Sequence, residues 1–192
     1  MTNSMQDFKD RRILIGVSGG IAAYKICALV SALVQRGAQV QVAMSAMATR
    51  FVGPLSFSAL TGRRVLLDIE GQGEHAMEHI ASARWAEVFL LAPCTANQLG
   101  KLSNGLADDL LSTLSLAFAG PQVLAPAMNP EMWAKKSVLR NVEVLRADGF
   151  SVIEPEAGLM ACGDTGVGRL PNERVLLAAL RTVLDSVPRA SS

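Results

Sequence analysis

The stretch RILIGVSGGIAAYKICALVSALVQRG, residues 12–37, decides the fold. Its first six residues, 12–17, are an apolar run of the kind that forms a strand buried on both faces. Gly19-Gly20 then opens an apolar helix running to about Arg36, which Gly37 closes. Residues 38–44 (AQVQVAM) alternate like a second strand. Working outward, strand-like runs return at 64–67, 86–92, 121–127 and 150–153. Helical stretches lie between them, including 109–118, and a last one covers 172–186. Alternation of this kind along the whole chain predicts an α/β three-layer sandwich, a parallel sheet with helices on both faces. Ligands in such folds sit in a crevice beyond the carboxyl ends of the strands.

The chain has 192 residues, 50% hydrophobic and 18% charged, so it has enough apolar material for one globular core. Residues 1–11 are expected to be a flexible N-terminal tail, 12–187 the domain, and 188–192 a C-terminal tail. Net charge is +1 with no basic stripe, which argues against nucleic acid as a partner. Arg11-Arg12 and the apolar run after them resemble a signal peptide, but glycines split that run and Lys25 interrupts it. No apolar run approaches the roughly 20 residues that span a bilayer. A cytoplasmic location and no membrane partner are the expectation. Three cysteines (Cys27, Cys94, Cys162) with no CxxC pair, and only two histidines, predict neither a disulfide framework nor a metal site.

Two loops are candidates for binding. Ser18-Gly19-Gly20-Ile21 falls at the first strand-to-helix turn, where small residues let a phosphate approach the free N–H groups of a helix start. The GxGxxG dinucleotide fingerprint is not met, and the second strand ends on Ser45 where an NAD site carries an acid. A hydroxyl there suits a phosphate monoester and tilts the cofactor towards FMN; tight packing alone also explains the glycines. Thr95, Ala96 and Asn97 follow the most apolar strand, where helix capping is the competing explanation. Asp108-Asp109 reads equally as a cap. His79, which reads as readily as an ordinary surface or core histidine, Asn129 in PAMN, which should project over the crevice and is also a good helix cap, and Cys162 in the Gly-rich stretch Glu156–Arg169 are the residues able to do chemistry. That stretch reads as a mobile flap, not as a regular element. Cys27 and Cys94 read as small buried apolar residues.

The strings VSGGIAAYK, HI…RWA, APCTAN, GLADDLL, PAMNPEMW and ACGDTGVGR together resemble the flavin-containing cysteine decarboxylase family, from about Arg12 to Glu173. The chain looks most like the amino-terminal half of that family's bifunctional bacterial members; a stand-alone enzyme and a fragment both stay open. The resemblance implies a flavodoxin-like (Rossmann-like) fold and FMN as cofactor. It implies 4'-phosphopantothenoylcysteine as substrate, on the route to coenzyme A. It places the FMN phosphate on Ser18, Gly19, Gly20, Ile21 and Ser45, with Thr95, Ala96 and Asn97 along the ring or ribityl side. Catalytic roles fall to His79, Asn129 and Cys162, and substrate binding to Arg84, Asn129 and Met132. A homotrimer, or a dodecamer of trimers, with sites shared between neighbouring subunits, is also implied. The run Arg169-Leu-Pro-Asn-Glu173 departs from the Glu-Pro pair of many relatives.

The residue types suit that chemistry. A cysteine carboxylate has no electron sink at its β-carbon until the CH2–SH group is oxidised to a thioaldehyde, a hydride transfer for which a flavin is suited. His79 is suited to relay a proton near neutral pH, Asn129 and Arg84 to orient the carboxylate, and Cys162 to protonate the enethiol while hydride returns. Three rival readings remain. A peptidyl-cysteine oxidative decarboxylase lacks the cysteine, a regulatory flavoprotein-fold subunit does no chemistry, and a flavin prenyltransferase does not need PAMN and ACGD.

Overall fold

A computed structural model describes residues 7–67, 78–160 and 163–187 of the chain. Strand β1 (Arg12–Val17), helix α1 (Ala23–Gln35) and β2 (Gln39–Met44) form the first unit, as the opening stretch predicts. Residues Ala23, Ile26, Leu29, Val30 and Leu33 are buried, the three- and four-residue spacing of one helix face. The helix ends in a Schellman motif: Ala38 N–H donates to Leu33 O (3.0 Å) and Gly37 N–H to Val34 O (2.9 Å). Next come α2 (Pro54–Thr61), α3 (Glu78–Trp85), β3 (Val88–Cys94), α4 (Ala96–Leu102) and α5 (Leu110–Ala117). The chain continues through β4 (Gln122–Pro126), α6 (Pro130–Trp133), α7 (Lys136–Ala147) and β5 (Ser151–Val152). A hairpin of β6 (Glu156–Leu159) and β7 (Thr165–Arg169) precedes α8 (Glu173–Asp185).

The main sheet has the order β2-β1-β3-β4-β5, parallel throughout. This is the flavodoxin-like arrangement. All seven residues of β3 are buried, as a central strand covered on both faces requires. The sheet grows from β1 towards β2 on one side and from β1 through β3 towards β5 on the other. Right-handed crossovers then place their helices on opposite faces. One apolar cluster packs α1 and α8 against Ile13, Ile15, Val17 and Leu90; the other packs α4, α5 and α7 against Leu14, Phe89, Leu91 and Leu124. Beyond the carboxyl ends of β1 and β3 the two sets of loops diverge and leave a crevice.

Three features differ from expectation. The run at 64–67 makes one bridge, Leu66 to Ala43, because only Leu66 offers both backbone groups to β2: its N–H meets Val42 O and its O accepts from Met44 N–H, each at 2.9 Å. The stretch Glu156–Arg169, read as an irregular flap, contains an antiparallel hairpin paired from Glu156↔Arg169 to Leu159↔Thr165. Residues 7–11, read as part of a tail, pack on the body. Phe8 is 2% exposed, and Asp10 N–H donates to Gly37 O at 2.9 Å. Among the described helices none is long and apolar enough to cross a membrane.

Arg11 ties the chain's two ends to the sheet. Its Nη2 donates to Leu184 O at 2.7 Å, which satisfies a carbonyl at the end of α8. Its Nε lies 3.3 Å from Glu87 Oε2 without the alignment of a hydrogen bond, an ion contact in a buried setting. Glu87 Oε2 also accepts from Arg12 N–H at 2.9 Å. Arg11→Ala removes both the buried cation beside Glu87 and the donor to Leu184 O, and is expected to destabilise the fold by about 3–5 kcal/mol, read as a lower urea midpoint.

Candidate active site

The loop after β1 and the loop after β3 are joined by one side chain. Ser18, 1% exposed, donates its hydroxyl to Pro93 O at 2.6 Å, and Thr95 N–H donates to the same hydroxyl oxygen at 3.1 Å. Ser18 N–H also points at Pro93 O, at 3.3 Å. Both donors of Ser18 are therefore turned inward. Its side chain is engaged within the protein, so the residue anchors the loop on which a phosphate is expected. Among the described residues, the N–H groups of Gly20, Ile21 and Ala22 meet no protein acceptor at the start of α1.

Those residues form one wall of a cleft of 810 Å³. Pro93, Thr95 and Ala96 extend the floor, and Ala127, Met128, Asn129 and Met132 close the far side. Thr95 caps α4 through its hydroxyl, which accepts from Gln98 N–H at 3.4 Å, so the capping explanation holds as well. Its methyl group would lie 3.9 Å from a Cβ placed on Gly20. A flat ring system with a phosphate tail fits these surroundings: mainly small apolar side chains, unpaired N–H groups at a helix start, and a cavity in the usual range for a bound cofactor.

Asn129 sits at the mouth. Its Oδ1 accepts from Glu131 N–H at 2.8 Å, capping α6, and its Nδ2 donates to Asp164 Oδ2 at 2.8 Å, so it clasps the hairpin end. Met132, one turn along, is 46% exposed and lines the cleft. The hairpin is pinned from below as well. Met128 N–H donates to Gly168 O at 2.9 Å, and a Cβ on Gly168 would collide with the Met128 carbonyl oxygen. Only glycine permits that approach.

Other expected site residues lie elsewhere. Ser45 follows β2 and accepts from Ala48 N–H at 3.2 Å; Asn97 is exposed on the first turn of α4. Half-buried His79 and exposed Arg84 lie on α3. None of these four lines the described cleft. Cys162 lies outside the described residues. Asp109 is confirmed as a cap, with Ser112 N–H donating to Oδ1 at 2.8 Å. Burial alone would raise its carboxyl, but hydrogen bonds from Lys101, Ser112 and Gln98 outweigh that and hold it below its ordinary value. Residues that sequence reasoning did not assign to the site include Tyr24, Lys25 and Arg169, which also line the cleft. The available signal was position: Lys25 follows the glycine turn and Arg169 ends the Gly-rich stretch.

The family model described as Flavoprotein matches residues 1–184. The chain is 49% identical over 172 residues to the coenzyme A biosynthesis bifunctional protein CoaBC of Bacillus subtilis (strain 168), covering 88% of this chain and 42% of that protein. Its namesake in Escherichia coli (strain K12) is 44% identical over 163 residues, covering 83% and 40%. The chain thus spans about two fifths of the length of these curated relatives. Among solved structures, a cysteine-to-serine mutant of PPC decarboxylase complexed with pantothenoylaminoethenethiol superposes with a TM-score of 0.82 at 28% identity, over 93% of this chain and 100% of that one. The FMN-dependent cysteine decarboxylase SpaF gives 0.77 at 33% identity, over 91% and 95%.

Cys94, at the end of β3, is fully buried, and burial pushes its thiol far above the ordinary value of 9.0. An unfolded chain ionises this thiol first, so its contribution to stability is intact below about pH 9 and falls as pH rises further. Between about pH 8 and about pH 10, wild type is expected to lose about 1.4 kcal/mol more than Cys94→Ala for each pH unit above the unfolded value, measured by urea unfolding.

Proposed function

The chain belongs to the flavoprotein family, and on that footing we propose that it is an FMN-dependent carboxy-lyase. The reaction is decarboxylation of 4'-phosphopantothenoylcysteine to 4'-phosphopantetheine in coenzyme A biosynthesis, in the cytoplasm. The observation that carries the reading is the cleft at the strand-order reversal. It is lined by residues with unpaired N–H groups, Gly20–Ala22, together with Asn129 and Met132. The names of the CoaBC relatives, and of the decarboxylases that superpose on the chain, support the same reading.

The N–H groups of Gly20–Ala22 suit the FMN phosphate, with Pro93, Thr95 and Ala96 along the ring or ribityl side. When bound, FMN would supply the acceptor for one two-electron oxidation of the thiol and the donor for one two-electron return, so that the overall decarboxylation is redox-neutral. Asn129 presents its amide where a substrate carboxylate competes with Asp164 for the same group. Holding the carboxylate there sets the C–C bond for cleavage. His79 relays the proton released during thiol oxidation, and Arg84 adds a cation for the carboxylate. Cys162 protonates the enethiol carbon skeleton when hydride returns, leaving the saturated thiol.

His79 and Arg84 lie on α3 and do not line the cleft of their own chain. That separation supports a homotrimer in which α3 of one copy serves the cleft of the next. A shared site predicts subunit complementation. Dissociated and reassembled mixtures of His79→Asn and Asn129→Ala, each roughly 10²–10⁴-fold impaired alone, should regain part of wild-type turnover. Mixtures as inactive as the single variants would place both residues in one subunit's site.

The product tests the chemistry. Protein purified with its visible flavin absorbance, given 4'-phosphopantothenoylcysteine, should release CO2 and form 4'-phosphopantetheine by mass. Cys162→Ser should instead accumulate the product lacking one pair of hydrogens. Wild type that stops at that oxidised product would support the peptidyl-cysteine type of chemistry, and a colourless protein inert with added FMN would support a regulatory subunit.

A further inference from the structure

The cleft has an uneven charge distribution. Among the described residues that line it, Lys25 and Arg169 are cations, and none is Asp or Glu. Lys25 lies in the first turn of α1, and Arg169 is the last residue of β7. Both are half-buried, and neither has a hydrogen-bond or ion-pair partner among the described residues. The carboxylate in contact with the lining, Asp164, is held by Asn129. Lys101, also half-buried, is by contrast paired with Asp108 (2.8 Å) and Asp109 (2.7 Å). Two uncompensated cations facing one largely apolar cavity attract an anion more strongly than they would in open water, because low-dielectric walls weaken screening.

Arg169 is also held in place before any ligand arrives. Its side chain crosses the backbone of Gly158 on the paired strand: a Cβ there would collide with Nη1 and lie 3.0 Å from Cδ. The neighbouring Gly168 is pinned to Met128. A guanidinium packed against a glycine of a pinned hairpin loses less freedom on binding than one waving in solvent.

We infer that Lys25 and Arg169 form an anion subsite for a phosphate monoester, that of the substrate's far end, with the reacting carboxylate at Asn129. The inference rests on the decarboxylase reading for the identity of that ligand. A phosphate monoester is the matching chemistry: a planar donor fork for two of its oxygens and a point cation for the remaining charge. The cofactor carries a phosphate monoester too. The N–H groups of Gly20–Ala22 already suit that one, which leaves the two side chains for the substrate.

The test is binding to the FMN-loaded protein, by calorimetry, of 4'-phosphopantetheine against pantetheine. Wild type should prefer the phosphorylated ligand by roughly 10- to 100-fold. Arg169→Gln should erase most of that preference, and Lys25→Gln part of it. Flavin retained after dialysis is read in the same samples. Equal affinity of wild type for both ligands, or a preference that survives both substitutions, overturns the subsite. Loss of flavin with the preference intact assigns the pair to the cofactor's phosphate and also overturns it. Preference erased by the variants in a protein that releases no CO2 from 4'-phosphopantothenoylcysteine would leave the subsite standing and remove the decarboxylase reading.

Discussion

Ser18 bridges two loops 75 residues apart in sequence through a buried hydroxyl, 2.6 Å from Pro93 O and 3.1 Å from Thr95 N. These are the loops after β1 and β3, the strands between which the sheet reverses its order of growth. A parallel sheet wound in both directions must send its crossovers to opposite faces, and the backbone at the reversal is left without a covering helix. A small hydroxyl fits the gap, gives the Pro93 carbonyl a second donor beside the Ser18 N–H, and gives the Thr95 amide its acceptor. Because that hydroxyl holds the loops together, the glycine turn presents its N–H groups to the cleft, and Thr95 starts α4 beneath them.

The hairpin supplies the other half of the site. It is not part of the main sheet, so its position depends on a few contacts: Asn129 with Asp164, Met128 with Gly168, and Asn172 with Glu156 at 2.8 Å. The first two join the loop after β4 to the hairpin, at its turn and at β7, and the third ties β6 to the start of α8. Asn129 therefore has two jobs that compete, capping and clasping in the structure described and orienting a carboxylate in the proposed reaction. Arg169 inherits its position from the same clasp.

Much of this was legible in the sequence. The alternation of buried runs and amphipathic helices specifies the parallel sheet because a strand covered on both faces must be apolar throughout, as β3 is. The caps were legible at Thr95, Asp109 and Asn129, since an oxygen-bearing side chain at a helix start satisfies local N–H groups whatever lies further away. Asn129 was legible over the crevice for a related reason, because a residue that ends a parallel strand projects at the carboxyl edge.

Local pattern could not tell a hydroxyl that faces a ligand from one that faces a neighbouring loop, and Ser18 proved to be the second kind. It could not show that residues 64–67 lack the second set of backbone partners a strand needs, nor that the Gly-rich stretch at 156–169 closes into a hairpin through pairing of its two halves. Lys25 and Arg169 are 144 positions apart, and only the fold brings both to one cavity from which the described carboxylates are absent. The sequence by itself thus determined which segments are buried and how each begins and ends, because those depend on neighbours three or four residues away. The tertiary structure decided which polar groups face each other and which face the cleft, because that depends on contacts between segments far apart in the chain.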